Sequence, residues 1–169
     1  IIGIRYGYQG FGENARNPVQ LTPDLVSPIR EDGGTVLGSS RGTPGVEKIV
    51  DRLEELGVNQ LFTIGGDGTM RGATAIQEEV HRRNLEIAVI GVPKTIDNDI
   101  PFVRRSFGFE TAVSEGAKAI NSAETEAQGV DKGIGLVKLM GRHAGFITAT
   151  ATIASGNVNF CLIPEVPFK

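Results

Sequence analysis

The sequence predicts an α/β fold in three layers: a doubly wound, mostly parallel sheet with helices on both faces. Two observations support this prediction. Runs of about five strand-forming residues alternate along the chain with longer segments of helical spacing. The runs are continuously apolar, which is typical of strands buried on both faces of a parallel sheet.

The first half of the chain begins this alternation. Residues 43–57 predict a helix because apolar residues recur at three- and four-residue spacing, with Pro44 in the first turn and Gly57 just past the end. Residues 60–64 are a short apolar run that predicts a strand. A second helix is expected to follow and to continue to about Asn84.

The second half repeats the pattern. Residues 86–92 predict a strand, and residues 109–126 predict a helix from their composition. Residues 135–139 predict a further strand, residues 143–154 a helix of small residues, and residues 159–163 a last strand. Both ends of the sequence look cut from a longer protein.

Composition excludes several classes of protein. Lys and Arg total 17 and Asp and Glu total 20, and this net charge of −3 argues against a nucleic-acid binder. The apolar runs are too short to span a membrane. The single cysteine, Cys161, excludes an internal disulfide framework and a cysteine metal cluster. We expect Cys161 to be a buried thiol in a reducing compartment, which predicts a cytoplasmic protein.

Loops that contain charged residues follow the predicted strands. In parallel sheets, ligands bind at these carboxyl ends of the strands. Glycine makes up 23 of the 169 residues, roughly twice the usual share, and glycines cluster after apolar runs. On one edge of a sheet, these loops would supply three carboxylates, two arginines and a lysine, as expected for a metal-assisted phosphate site. The loops are residues 38–42, 65–69, 94–99 and 140–142.

The run Gly-Gly-Asp-Gly-Thr at residues 65–69 follows a predicted strand and opens a helix. Glycines let the backbone N–H groups approach phosphate oxygens, and the helix N-terminus favours negative charge. Asp67 would supply an oxygen ligand to Mg²⁺. The alternative is a tight turn in which Asp67 only caps the helix.

The run Lys-Thr-Ile-Asp-Asn-Asp at residues 94–99 lies between Pro93 and Pro101, which restrict the loop at both ends. Two carboxylates this close together repel each other unless a cation lies between them. The alternative is an acidic turn that water solvates.

Residues 65–69, 93–100 and 140–142, in this order and spacing, resemble the 6-phosphofructokinase family, and in particular its longer plant, protist and bacterial branch. NAD kinases and diacylglycerol-type lipid kinases share the Gly-Gly-Asp-Gly-Thr run and stay alternatives, as does a degenerate regulatory subunit. The resemblance implies a Rossmann-like lobe in which residues 1–169 are part of a catalytic domain truncated at both ends. We expect the isolated chain to be inactive.

The resemblance implies a role for each site residue. Asp97 would be the general base for the 1-hydroxyl of fructose 6-phosphate, and Arg142 would offset charge on the phosphoryl group. Asp67 and Asp99 would hold Mg²⁺. The residues that would bind the donor are Arg41, Gly42, Gly66, Asp67, Gly68 and Thr69. The residues that would bind the sugar phosphate are Thr95, Ile96, Asp97, Met140, Gly141 and Arg142.

The resemblance also bears on the donor and the partners. In this family, pyrophosphate users typically carry an aspartate where Gly68 stands and a lysine where Lys94 stands. We expect ATP to be the phosphoryl donor, because Gly68 leaves free the space that an aspartate would occupy. Pyrophosphate stays the alternative donor. The implied pathway is glycolysis. The implied protein is an allosteric homo-oligomer, a dimer or tetramer, that binds neither nucleic acid nor membrane.

Overall fold

The computed structural model describes residues 1–12 and 17–168. The chain divides into two compact units, which are interleaved in sequence. The first unit contains Ile1–Phe62 and Arg71–Ile90, and the second contains Thr63–Met70 and Gly91–Lys169.

The first half of the chain carries short elements and one long helix. Strands β1 and β2 pair antiparallel, with Ile2 opposite Gln20 and Gly3 opposite Val19. The elements are β1 (Ile2–Gly3), a 3₁₀ helix (Gly7–Phe11), β2 (Val19–Gln20), α1 (Pro23–Val26), a second 3₁₀ helix (Pro28–Glu31) and α2 (Val46–Glu55).

The rest of the chain forms a three-stranded parallel sheet flanked by helices, which confirms the predicted α/β class. The strand order is β3-β4-β5, and β4 pairs with β5 so that Lys94 lies opposite Phe107 and Thr95 opposite Gly108. The elements are β3 (Gln60–Gly65), α3 (Asp67–Arg82), β4 (Ala88–Thr95), β5 (Phe107–Gly108), α4 (Phe109–Gln128) and α5 (Phe146–Ser155).

Helix α2 ends at a glycine, as its sequence predicts. Gly57 has φ of 61°, its N–H donates to the Glu54 carbonyl at 3.0 Å, and the Val58 N–H donates to the Leu53 carbonyl at 2.9 Å. This paired pattern satisfies the last carbonyls of the helix and requires a left-handed residue. The helix begins at Val46, later than expected, so Pro44 lies before the helix and not in its first turn.

The core of the first unit forms on the apolar face of α2. Ile49, Val50 and Leu53 of this helix are buried and pack with Ile76 and Val80 of α3. Each fully buried aliphatic side chain contributes about 1.5–3 kcal/mol relative to exposure. The predicted three- and four-residue spacing of apolar residues in α2 thus corresponds to its buried face.

An ion-pair network links the ends of α2 and α3. Glu79 is 9% exposed and accepts hydrogen bonds at 2.6–2.7 Å from Arg82 and Arg83. Arg83 also donates to Asp51 at 2.5 Å and to Glu54 at 3.4 Å. Hydrogen bonds from Arg82 and Arg83 lower the pKa of Glu79 to about 2. Asp51 and Glu79 raise the pKa of Arg83 above its usual value.

The lowered pKa of Glu79 predicts a pH-dependent stability. Ionised Glu79 stabilises the fold above about pH 4.5, and this contribution is lost as the pH falls towards 2. The variant Glu79→Gln should therefore have a lower Tm than the wild type above pH 5, and the difference should shrink towards zero near pH 2. Thermal unfolding followed by circular dichroism across this range measures it.

The neighbouring Glu78→Gln variant is the matched control, because Glu78 is exposed. It should leave the Tm nearly unchanged throughout. A constant Tm difference between wild type and Glu79→Gln at all pH values would contradict the pKa assignment.

The core of the second unit lies between α4 and α5. Phe109 and Val113 of α4 pack against Ile147 and Ala151 of α5. Gly116 allows the helices to approach closely, since a Cβ there would lie 3.3 Å from the Ala151 Cβ. Helix α4 begins at Phe109 as predicted and continues to Gln128.

Two predicted strands are wrong. Residues 135–139 and 159–163 make no strand pairing within the described parts of the chain. Ile134 and Leu136 are 91% and 88% exposed. Cys161 is also exposed, which corrects the predicted buried thiol. The apolar composition of these segments favours a strand, but a strand forms only where a partner supplies backbone hydrogen bonds.

In the described residues, no helix is both long enough and apolar enough to cross a bilayer.

Candidate functional site

The turn between β3 and α3 is built on glycines. A Cβ at Gly65 would lie only 2.7 Å from the Cβ of Thr69, so a side chain at this position would collide with the first turn of α3. The Gly66 carbonyl accepts the N–H groups of Thr69 at 2.9 Å and Met70 at 3.0 Å, which starts the helix. The predicted change from strand to helix at this motif is therefore confirmed.

The glycine turn lies against the end of β4. A Cβ at Gly66 would be 3.5 Å from the Cβ and 3.7 Å from the Oγ1 of Thr95. Gly68, one residue into α3, is exposed, and outside its chain neighbours and helix backbone no described atom lies within 4 Å of its Cβ position. The backbone thus leaves open space at Gly68 and places two of the predicted site loops beside each other.

The loop after β4 carries two carboxylates in restricted surroundings. Asp97 is 8% exposed, and its N–H donates to Thr95 Oγ1 at 3.1 Å. Asn98 has φ of 55°, an uncommon value that asparagine tolerates better than most residues. The Oδ1 of Asp99 is buried and has no hydrogen-bond partner among residues 1–12 and 17–168. A buried carboxylate oxygen of this kind is costly unless a donor or a cation satisfies it.

The segment before α5 is also shaped by left-handed residues. Gly141 has φ of 145° and is buried, and a side chain there would collide with the Ala144 carbonyl. Arg142 follows with φ of 54° and is exposed. The Gly145 N–H, just before α5, donates to Glu165 Oε1 at 2.7 Å. The bend at residues 140–142 is thus defined by the backbone angles of Gly141 and Arg142. The bond from the Gly145 N–H to Glu165 holds the chain just after the bend.

The two loops of the second unit that carry Asp97 and Arg142 share one support. Ile96, next to Asp97, and Leu139, next to Met140, both pack against the core cluster of α4 and α5. A cavity of about 400 Å³ is lined by residues of this segment, including Lys138 and Arg142. Three apolar side chains near the end of the described chain also line the cavity, namely Leu162, Pro164 and Phe168.

The loop at residues 38–42 differs from its prediction. It does not follow a strand, because the preceding residues, Val36 and Leu37, form a turn. Arg41 and Gly42 are exposed and belong to the first unit, where the Arg41 carbonyl accepts a hydrogen bond from Gln9 Nε2 at 2.7 Å. Donor binding by Arg41 and Gly42 stays a prediction.

Two contacts escaped the sequence analysis. Glu165 accepts the Gly145 N–H, and buried Ser106 donates to Thr95, two residues before Asp97, and to Asn98, directly after it. Ser106 precedes β5, a two-residue strand too short to give a periodic signal. Pro164 beside Glu165 marks a turn but gives no sign of its partner.

The second unit therefore combines a glycine turn, the buried carboxylate of Asp97, the half-buried carboxylates of Asp67 and Asp99, and an exposed arginine. Carboxylate oxygens are the ligands that Mg²⁺ prefers, and it usually keeps waters and substrate phosphates in its remaining positions. No group of three or more possible protein ligands occurs in the described residues. Such a site suits a metal that arrives with a phosphate rather than one held in a protein cage.

Comparison with known proteins gives one consistent result. The family model described as Phosphofructokinase matches residues 1–169. A relative from Arabidopsis thaliana, named ATP-dependent 6-phosphofructokinase 1, is 55% identical over 168 residues, covering 99% of this chain and 35% of the relative. A relative from Borreliella burgdorferi, named ATP-dependent 6-phosphofructokinase, is 52% identical over 169 residues, covering 99% of this chain and 38% of the relative. The chain spans little more than a third of these relatives.

Solved structures agree in fold. Phosphofructokinase from Saccharomyces cerevisiae superposes with a TM-score of 0.70 at 25% identity, covering 92% of this chain and 23% of that one. A pyrophosphate-dependent phosphofructokinase from Marinobacter aquaeolei gives 0.73 at 24% identity, covering 99% of this chain and 45% of that one. The second likeness shows a shared fold alone.

Proposed function

The chain belongs to the phosphofructokinase family, and we propose that it carries the catalytic loops of an ATP-dependent 6-phosphofructokinase. The reaction would move the γ-phosphoryl group of ATP to the 1-hydroxyl of fructose 6-phosphate, giving fructose 1,6-bisphosphate, a step of glycolysis. Relatives at 52–55% identity named ATP-dependent 6-phosphofructokinase support this choice.

One observation carries the proposal. The glycine turn before α3 lies beside Thr95, two residues from Asp97, since a Cβ at Gly66 would be 3.5 Å from the Thr95 Cβ. Donor phosphates on the glycine turn and a sugar hydroxyl near Asp97 would therefore lie side by side, as phosphoryl transfer requires. The alternative was that Asp67 only caps α3. That role does not require the loop with Asp97 to lie beside the glycine turn.

In this mechanism, Asp97 accepts the proton of the attacking hydroxyl, as a general base. Gly66, Gly68 and Thr69 line the donor phosphates, with the N-terminus of α3 favouring their negative charge. Arg142 pairs with charge on the transferring group. Met140, Gly141, Thr95 and Ile96 shape the sugar-phosphate pocket.

The residues present fit a divalent cation. Asp99 Oδ1 is buried without a partner in the described part of the chain, and Asp67 is the first residue of α3, directly after the glycines of the turn. Asp67 and Asp99 would hold Mg²⁺ together with waters and donor phosphates. When bound, Mg²⁺ neutralises charge on the phosphates.

The choice of ATP over pyrophosphate rests on Gly68. The empty space around its Cβ position leaves room for the rest of a nucleotide. Lys94 is exposed and can pair with phosphates of either donor. Pyrophosphate is the second candidate donor because of this lysine.

An assay on the complete polypeptide tests the proposed function. Fructose 1,6-bisphosphate is measured with ATP or pyrophosphate as donor, and NAD⁺ and diacylglycerol are offered as alternative acceptors. ATP-dependent phosphorylation of fructose 6-phosphate is expected. Turnover with pyrophosphate alone would reassign the donor, and phosphorylation of NAD⁺ or lipid instead of the sugar would overturn the proposal. The homo-oligomer, the allosteric control and the cytoplasmic location stay predictions.

A further inference from the structure

We propose that Ser106 is a positioning residue for Asp97, an inference that rests on the proposed function. Ser106 lies nine residues after Asp97, at the point where the loop returns to the sheet as β5. It is polar and 5% exposed. A buried hydroxyl is costly unless its hydrogen bonds are satisfied, so its partners are informative.

Ser106 connects both sides of the base. Its Oγ–H donates to the Thr95 carbonyl at 2.8 Å, and its N–H donates to Asn98 Oδ1 at 2.8 Å. The Oγ also lies 3.3 Å from Asn98 Oδ1, but its single proton can serve only one acceptor, and the Thr95 carbonyl is closer. Ser106 therefore binds the residue two before Asp97 through its side chain and the residue directly after Asp97 through its backbone N–H.

The connection fixes an unusual backbone conformation. Asn98 is left-handed, and its side chain is held at both ends, since Nδ2 donates to the Arg104 carbonyl at 3.4 Å. Residues in such conformations persist only where their surroundings determine them. The φ of Asn98 sets the relative directions of Asp97 and Asp99, its two neighbours. Loss of the Ser106 hydroxyl would leave these two bonds of Asn98 in place but release the Thr95 carbonyl on the other side of Asp97.

The parallel pairing of β4 and β5 brings together the two ends of the loop that carries Asp97. Thr95 lies opposite Gly108, and Ser106 stands just before this pair. The Thr95 side chain in turn accepts the Asp97 N–H at 3.1 Å. Ser106 thus acts on Asp97 through Thr95 and Asn98, without needing to touch substrate.

Kinetics of two variants in the complete polypeptide test the role. Ser106→Ala is expected to lower kcat by about 10- to 100-fold, the size of effect that misplacement of a reacting group produces. KM for ATP and fructose 6-phosphate should change less than about threefold, because catalytic geometry rather than binding is lost. Ser106→Thr keeps the hydroxyl and should regain most of the lost kcat.

Ser122→Ala is the matched control. Its hydroxyl also donates to a backbone carbonyl, that of Lys118 at 3.0 Å, but within α4 and exposed. It should leave kcat unchanged. A Ser106→Ala enzyme with kcat within twofold of the wild type, or one no worse than Ser122→Ala, would overturn the proposal.

Amide hydrogen exchange separates this inference from the proposed function. In Ser106→Ala, the Asp97 amide should exchange about fivefold faster, the factor that corresponds to one lost hydrogen bond. In Ser122→Ala its exchange should match the wild type. An unchanged Asp97 amide in Ser106→Ala would refute the positioning role. Absence of sugar phosphorylation by the wild type would refute the proposed function, while the exchange comparison would still decide the role of Ser106.

Discussion

Replacing Asp97 with asparagine in the complete polypeptide is expected to lower kcat for fructose 6-phosphate about a thousandfold. General-base catalysis contributes roughly 10²- to 10⁴-fold, and an amide of the same shape cannot accept the proton. Asp97 is 8% exposed, so bulk water is a poor substitute. Initial rates at saturating ATP and sugar phosphate measure the loss, and KM should change only slightly.

The control for this change is Asp24→Asn. Asp24 is an exposed carboxylate in the first turn of α1 and belongs to the first unit. Its replacement should leave kcat within about twofold of the wild type. A near-normal rate for Asp97→Asn would remove the residue from the role of base, even if the family assignment stands.

Replacing Gly68 with aspartate is expected to reduce kcat/KM for ATP by at least about a hundredfold. The Cβ position at Gly68 has no neighbour within 4 Å, so the new side chain should fold without strain and extend into the donor space. A carboxylate about 4 Å from a phosphate charge costs about 4 kcal/mol at an effective dielectric constant near 20. That energy corresponds to a rate factor of roughly a thousand.

Gly68→Ala separates charge from size. Alanine adds only a Cβ within α3 and should raise the free energy of unfolding by about 0.5–1 kcal/mol, since glycine weakens helices. ATP use should stay within about threefold of the wild type. Unchanged ATP kinetics in Gly68→Asp would show that the space at Gly68 does not select the donor, and Lys94 would then become the residue to vary.

The helices could be predicted from the sequence because their signals are local. The spacing of apolar residues in residues 43–57 predicted the buried face of α2, and Gly57 predicted where the helix ends. The start of α4 at Phe109 was also predicted correctly. Periodicity and left-handed end residues depend on neighbours within one or two turns, which a sequence displays directly.

Strand pairing could not be predicted in the same way. Residues 135–139 and 159–163 have the apolar composition of strands but lack pairing partners among the described residues. Conversely, β5 was missed because its two residues, Phe107 and Gly108, show no pattern. Whether an extended segment becomes a strand depends on distant backbone groups, which composition does not encode.

The candidate site was predictable in part. The rule that loops meet at the carboxyl ends of parallel strands correctly anticipated that the turn at Gly66 lies beside Thr95. The Ser106 bonds to Thr95 and Asn98 were not anticipated, because hydrogen bonds across eleven and eight residues of irregular loop have no sequence signature.

The close approach of Gly65 to Thr69 has a consequence for engineering. Because a side chain at 65 would collide with the threonine one turn later, the two positions form a linked pair that a mutant library should randomise jointly. Position 68 lacks such a neighbour and can be sampled alone. Searches for new donor preference can therefore start from single substitutions at 68 and leave the rest of the turn intact.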